Sequence, residues 1–217
     1  MRIEDLDHKE LLELHPETGL IKFAGQRAVL IDAVAMGQLR KYLVENFGLT
    51  AGRSVLTQFG FAHGWRMAET MKAQFKWESE ADWIEAGARI QALEGLCHQE
   101  PGSPHALSEA GLTLVSSYEA EQHLLHFGRS EVPVCWSLCG LKSGYLGKIT
   151  GKELYVLEDR CIGKGDPACH LVAYAGRVGR STRGRDRLLR TGPARRISRC
   201  LAAPGDRDAQ GRRAKAA

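Results

Sequence analysis

The 217-residue sequence contains no run of eighteen apolar residues, which is about the length that a helix needs to cross a bilayer. Its first residues, MRIEDLDHKELLELHPETG, are acidic and polar, so they do not resemble a signal peptide. Six cysteines in a chain of this length are too few for a disulfide scaffold. These absences predict a cytoplasmic protein with no membrane partner, and in that compartment clustered cysteines bind metals more often than they form disulfides.

Acidic residues are scarce only at the C-terminal end of the chain. From Arg177 onward there are thirteen Lys and Arg residues, three Asp, no Glu and no aromatic residue. The preceding part keeps 17 of the 30 basic and 23 of the 26 acidic residues, so it is acidic although the whole chain carries +4. The tail cannot bury enough surface to offset its ordering entropy, and residues 176–217 are predicted to be disordered. Because the body is acidic, nucleic acid is not an expected partner.

Three interpretations of the Arg-rich tail remain open. Arginine-rich segments bind phosphates without sequence preference, so the tail could serve as a nucleic-acid-binding arm. It could equally be a solvated end without a partner. We favour a third interpretation, an out-of-frame translation of a linker, because a GC-rich gene read in a wrong frame yields Arg, Gly, Ala and Pro.

Hydrophobic periodicity predicts an α+β protein. Apolar residues at helical spacing indicate a helix from about Asp32 to Phe47, with Gly48 as its C-cap. A second helix is predicted at 51–76, where Gly60 and Gly64 are expected to weaken the interior. The pattern continues with a helix at 79–95, a strand at 112–117, a helix within 132–149, and strands at 152–157 and 170–173. This order favours an α+β fold over an alternating parallel one.

The segment YVLEDRCIGKGDPACHL supplies a carboxylate and two thiols within twelve residues, namely Glu158, Cys161 and Cys169. A loop rich in Gly and Pro between the cysteines allows their sulfurs to meet. Zinc takes four ligands in a tetrahedron, so this segment alone is one ligand short. Candidates for the fourth ligand are Cys135, Cys139, Cys97 and His170. The spacing by itself supports a zinc site and two unrelated buried cysteines about equally.

A longer pattern resolves this ambiguity. The ordered motifs PVCW, GKELY and ExxCxxxxxxxC in residues 130–172 resemble the 4-vinyl reductase-type domain in the sensory regions of xylene- and phenol-responsive activators. These are bacterial sigma-54-dependent transcription regulators, and the resemblance extends back to about residue 20. It implies that Cys135, Glu158, Cys161 and Cys169 bind a structural zinc ion. Cys139, Cys97, Cys200 and His170 are not part of the family's ligand pattern.

The resemblance also implies an organisation of the chain. Residues 1–100 would form a helical N-terminal sensory and dimerisation segment, 101–175 a mixed α/β zinc-containing ligand-binding domain, and 176–217 the disordered tail. The family's helical N-terminal segments pack across a dimer, so a homodimer is expected. The ATPase and DNA-binding modules of these regulators are absent from this chain, which has no G-x-x-x-x-G-K-[ST] run.

An aromatic effector needs an enclosed apolar pocket with few polar groups. The candidate lining residues are Phe75, Ile90, Gln91, Leu96, Leu112, Leu114, Trp136, Tyr145 and Tyr155. Phenol-responsive members hold the phenol hydroxyl with a His and a Trp, where this chain has Gln91 and Leu114. Because the leucine side chain cannot hydrogen-bond, we expect an aromatic hydrocarbon to be favoured over phenol.

Other functions compete with an effector-sensing domain. The chain could be a stand-alone small-molecule binding protein, a zinc-dependent enzyme, or a DNA-binding protein that uses its tail. The enzyme is disfavoured because four matched ligands close the zinc shell and leave no position for a catalytic water. Neither a His-x-x-x-His pattern nor an activated serine appears in the sequence. We therefore predict that the chain is not an enzyme.

Overall fold

A three-stranded antiparallel meander lies near the N-terminus of the computed structural model, which describes residues 1–7 and 11–175. Its strands are β1 (Leu12–His15), β2 (Leu20–Phe23) and β3 (Gln26–Ala28), and a 3-10 turn at Ile3–Asp5 precedes them. The sequence analysis did not predict this sheet. Its strands are three or four residues long, which is too short for an apolar-polar alternation to stand out. The predicted disordered tail lies outside the described residues.

The first predicted helices are confirmed as one broken helix, α1 (Ala33–Gln74). Asp32 caps its start, with Oδ1 accepting a hydrogen bond of 2.7 Å from the amide of Ala35. Gly48 interrupts the helix at φ 80° and ψ 160°, a conformation that favours glycine. We call residues 33–47 the first arm of α1 and residues 49–74 its second arm.

Glycines allow the second arm to contact another helix at very short range. This partner is α4 (Trp136–Thr150), which is buried along nearly its whole length. A methyl group on Gly60 would lie 1.9 Å from the carbonyl oxygen of Ser137, and one on Gly144 would lie 2.2 Å from that of Phe61. The interpretation that Gly60 merely weakens its helix was therefore incomplete, because the missing side chain is what permits the two backbones to approach.

Helix α2 (Glu80–Leu93) confirms the third predicted helix and packs on another side of α4. Its N-cap Ser79 accepts a hydrogen bond from the amide of Asp82 at 3.1 Å. Gly87 lies against the ring of Tyr145, whose hydroxyl donates to the carbonyl oxygen of Trp83 at 2.6 Å. Tyr145 is thus fixed at both its ring and its hydroxyl.

The second sheet is antiparallel throughout, with the strand order β4-β5-β7-β6. Its strands are β4 (Cys97–Gln99), β5 (Leu112–Ser117), β6 (Leu154–Arg160) and β7 (Cys169–Ala175), and helix α3 (Tyr118–Phe127) follows β5 directly. The predicted strands at 112–117, 152–157 and 170–173 are confirmed. Together with the helices they give the α+β class that the sequence predicted.

The core consists of two apolar clusters that meet between α2, α4 and the second sheet. One cluster lies on the sheet and includes Leu112, Leu114 and the buried cysteines 97, 135, 161 and 169. The other lies among the helices and includes Ile90 and Tyr145. Leu96 packs against both clusters. Across the described ranges, none of the helices combines the length and apolarity required for a membrane span.

Candidate metal centre and effector region

Four side chains with metal-binding atoms converge at one buried point beside the second sheet. They are Cys135, Glu158, Cys161 and Cys169, whose candidate ligand atoms all lie within 4.8 Å of one another. The sulfur of Cys135 is 3.9 Å from that of Cys161 and 3.7 Å from that of Cys169. The sulfurs of Cys161 and Cys169 are 4.0 Å apart. Three sulfurs and one oxygen at these separations can surround a single ion.

These side chains come from the start of one helix and from two neighbouring strands with the turn between them. Cys135 is the residue before α4, Glu158 lies on β6, Cys161 follows the end of β6, and Cys169 begins β7. The turn between the two strands is closed by Asp166, whose carboxylate accepts a 2.7 Å hydrogen bond from the amide of Cys161. This turn brings together two cysteines that are eight positions apart.

The pKa values of the cluster are strongly perturbed by burial and by the contacts among its members. Burial raises the pKa of Glu158 to about 8. Hydrogen bonds from Cys135 and Cys169 lower the pKa of Cys161, whereas donation to Cys161 raises that of Cys135. The opposite directions reflect the close approach of the sulfurs, since neighbouring negative charges repel one another without an ion between them.

One buried oxygen in the cluster has no hydrogen-bond partner. Glu158 uses Oε2 to accept a 3.0 Å bond from the amide of Cys135, while its Oε1 is buried and unpaired. A buried carboxylate oxygen without a donor is unfavourable, and a bound cation would satisfy it. The donor set of three thiolates and one carboxylate matches a closed tetrahedral shell, so these residues could hold a metal ion.

The other sequence candidates for the fourth ligand lie apart from the cluster. His170 contacts Asp159 through Nδ1 at 2.7 Å and the carbonyl oxygen of Ala110 through Nε2 at 2.7 Å. Cys97 points its sulfur at Oε1 of Gln91, 3.7 Å away. Cys139 lies on α4 outside the group that could hold the ion, and Cys200 lies outside the described residues.

Four of the predicted effector-binding residues are buried members of the two core clusters. Ile90 and Tyr145 belong to the helical cluster, and Leu112 and Leu114 belong to the sheet cluster. Leu96 packs against both clusters. Gln91 follows Ile90 on α2 and is 1% exposed, so its side-chain amide can bond only to groups inside the protein.

Three other predicted effector residues lie elsewhere. Phe75 lines a cleft of about 170 Å³ beside the N-terminal meander. The ring of Trp136 lies 3.9 Å from the guanidinium carbon of Arg40. Tyr155 is half-buried on β6 and donates its hydroxyl to the carboxylate of Glu153.

Sequence reasoning missed a buried polar group next to the metal cluster. Arg40 and Glu119 form an ion pair of 2.7 Å in which each side chain is 3% exposed. Burial lowers the pKa of His123 to about 4, so its ring is neutral near pH 7, and its Nδ1 lies 3.4 Å from Nη2 of Arg40. No spacing pattern links these residues, because they are about 80 positions apart and meet only through the fold.

Comparison with known proteins places this geometry in context. Residues 7–104 match a family described as "Activator of aromatic catabolism". The chain is 29% identical over 175 residues to the phenol regulator MopR of Acinetobacter guillouiae, a match that covers 78% of this chain. It is 21% identical over 178 residues to the transcriptional regulatory protein XylR of Pseudomonas putida, covering 77% of this chain. The chain spans about a third of the length of these two curated relatives, 31% in each case.

A solved structure gives the same indication. The fold is similar to that of the phenol-responsive sensory domain of the transcription activator PoxR, crystallised with phenol, with a TM-score of 0.67 and 28% identity. The similarity covers 76% of this chain and 85% of that domain. Residues 7–104 thus resemble the activators of aromatic catabolism, and the described part resembles in fold the sensory domain of one such activator.

Proposed function

We propose that this chain is the effector-sensing region of a bacterial transcription activator and binds a small aromatic compound in its apolar interior. The observation that carries the proposal is the similarity to the phenol-responsive domain of PoxR, which covers 85% of that domain. The burial of Ile90, Leu114 and Tyr145 supports it, since apolar surroundings suit an aromatic ring. We also propose that binding of this compound regulates transcription by the whole protein that contains this region.

The ion in the cysteine cluster is proposed to be zinc with a structural role. Three thiolates and a carboxylate are ligands that zinc accepts in a tetrahedral shell. Cys135 comes from the start of α4, and the other three ligands come from the β6–β7 hairpin, so the ion would fasten the hairpin to the helix. Four protein ligands leave no position for a reactive water, and we therefore propose no catalytic role for the site.

The effector is proposed to be an aromatic hydrocarbon in preference to phenol. Leu114 is fully buried and offers no hydrogen bond through its side chain. The oxygen of Gln91 already accepts a hydrogen bond from the thiol of Cys97 at 3.7 Å. A phenolic hydroxyl that enters this region would lose water and gain no partner on Leu114, while the oxygen of Gln91 is already shared with Cys97, which lowers its affinity relative to toluene.

Calorimetric titration of the purified chain with toluene and with phenol tests this preference. We expect tighter binding of toluene, and the variant Leu114→Thr should shift the affinity ratio toward phenol by supplying a hydroxyl group. Val115→Thr is the matched control, because Val115 is the next residue on β5 and is 44% exposed. Tighter binding of phenol than toluene by the unmodified chain would refute the preference while leaving the broader aromatic-binding proposal standing.

The chain is further proposed to form a homodimer through residues 1–100. Large apolar side chains are exposed between β3 and α1 and on the first arm of α1. Leu30 between these elements is 79% exposed, and Tyr42 and Phe47 on the arm are 57% and 61% exposed. Several large apolar side chains exposed in one part of the chain are typical of a protein–protein interface. We also propose that residues 101–175 form the zinc-containing ligand-binding domain.

A further inference from the structure

Arg40 and Glu119 form an ion pair that is withdrawn almost completely from solvent. Arg40 belongs to the first arm of α1, Glu119 lies in the first turn of α3, and Nη1 is 2.7 Å from Oε1. Burying two charges costs more free energy than their attraction returns unless further hydrogen bonds satisfy them. The other groups that Arg40 and Glu119 contact therefore indicate the role of the buried ion pair.

Glu119 binds the start of α4, the helix that follows the metal ligand Cys135. Its Oε1 accepts a 2.9 Å bond from the amide of Ser137. Its Oε2 accepts bonds from the hydroxyl of Ser137 at 2.8 Å and from the amide of Leu138 at 3.1 Å. The first amides of a helix have no partners within the helix, and the side chain of Cys135 does not cap them. The carboxylate of Glu119 performs that capping from a different helix.

Arg40 holds the residues on either side of Cys135. Its Nη2 donates a 2.8 Å hydrogen bond to the carbonyl oxygen of Val134. Its guanidinium carbon lies 3.9 Å from the centre of the Trp136 ring. Together, Arg40 and Glu119 contact every residue from 134 to 138 except Cys135 itself. Cys135 is also the one candidate ligand that lies outside the segment 158–169.

We propose that Arg40 and Glu119 are positioning residues for the metal site, an inference that rests on the metal site of the proposed function. They fix the backbone that carries Cys135, so that its sulfur stays within 4 Å of those of Cys161 and Cys169. An apolar pair could fill the same volume but could not direct hydrogen bonds to both sides of the ligand. Metal affinity thus depends on a residue in the first arm of α1.

The coupling between metal binding and docking of the first arm must act in both directions. If docking of the first arm through Arg40 tightens metal binding, then metal binding must stabilise the docked arm by the same free energy. The first arm also carries the exposed apolar side chains of the proposed dimer surface, including Tyr42 and Phe47. The metal site is in this way connected to the surface on which a second copy would dock.

Zinc affinity of the full chain, measured by competition with a chromogenic chelator, tests the inference. Arg40→Met and Glu119→Gln should each weaken zinc binding by about 10- to 100-fold, as is typical when partners outside the ligand shell are removed. The Co²⁺ absorption bands of the folded variants should also change. Lys41→Met is the matched control, since Lys41 is partly exposed on the same arm and, among the described residues, its ion pair is with Glu45 at 3.9 Å. Arg40→Lys should restore part of the affinity, because it keeps the charge but not the forked donor geometry.

The possible outcomes separate this inference from the metal site itself. If the unmodified chain binds no zinc, the proposed metal site is wrong. If the unmodified chain binds zinc and both variants bind it equally well, the metal site stands and the positioning role is wrong. Should the variants fail to fold, amide exchange in the unmodified chain decides. Adding zinc to the metal-free protein should slow exchange in residues 33–47, and unchanged exchange there overturns the inference.

Discussion

At the scale of single residues, the cysteine cluster places several groups that can carry negative charge unusually close together. Three thiols and a carboxylate share one buried volume, and Glu158 leaves one of its oxygens without a donor. Such an arrangement is electrostatically poor as a set of anions and favourable as a ligand shell. Each of the four residues should therefore matter for metal content.

Cys161→Ser should lower the metal content of the purified chain well below one ion per molecule. It should also lower the melting temperature, because binding free energy at a structural site contributes to folding. Elemental analysis and thermal unfolding measure the two effects. Cys139→Ser is the control, since Cys139 lies on α4 outside the cluster. A Cys161→Ser protein with full metal content would contradict the assigned ligand set.

The ligands differ in how far the sequence could predict them. Glu158, Cys161 and Cys169 lie within twelve positions, so their spacing made a local metal motif one of two equally supported interpretations. Cys135 is 23 positions before Glu158, and only the family resemblance selected it over Cys139 or Cys97. Arg40 and Glu119 could not be predicted, because the tertiary fold alone brings them to Cys135.

At the scale of secondary-structure elements, the contact between α1 and α4 organises the core. Gly60 and Gly64 on one helix face Gly140 and Gly144 on the other, and an added methyl on Gly140 would lie 2.1 Å from the carbonyl oxygen of Thr57. Real side-chain carbons do not approach a carbonyl oxygen this closely. Any side chain at these positions must push the helices apart.

Gly60→Ala should therefore destabilise the protein by about 1–3 kcal/mol or more, although alanine is the better helix former. Chemical denaturation with circular dichroism measures the change in the free energy of unfolding. Gly147→Ala serves as the control, because its methyl would meet only the carbonyl oxygen of Lys152 at 3.2 Å. Equal stability of the two variants would show that close packing of α1 against α4 is not required.

The same elements show what periodicity can and cannot predict. Helices α1 and α2 were predicted because their apolar residues recur at helical spacing over several turns. The short strands β1 and β4, of four and three residues, offer too few positions for a pattern. Helix α3 was missed because it follows β5 without a turn, with Ser117 ending the strand and capping the helix.

At the scale of the whole molecule, the distribution of apolar surface is uneven. Helix α4 is buried along nearly its whole length, whereas residues near the start of α1 leave large apolar side chains in solvent. Surfaces of this kind are uncommon on monomeric proteins and are typical of interfaces. The proposed homodimer accounts for the exposure of this face.

The double variant Leu39→Glu and Tyr42→Glu should convert the dimer to a monomer. Both side chains are exposed on the first arm of α1, at 47% and 57%, so the change should disturb the interface more than the core. Sedimentation velocity measures the mass of the species in solution. Val115→Glu, at an exposed position on β5, should leave the dimer intact. A monomeric unmodified chain at micromolar concentration would contradict the proposed homodimer.

The central claim is that the apolar interior of this chain binds a small aromatic compound, and calorimetric titration with toluene tests it most directly. Methylcyclohexane, which has a similar size but no aromatic ring, is the matched control ligand. The account predicts saturable binding of one toluene per chain, tighter than that of methylcyclohexane, with a negative heat-capacity change from buried apolar surface. The absence of saturable binding for toluene and for phenol alike would contradict the account.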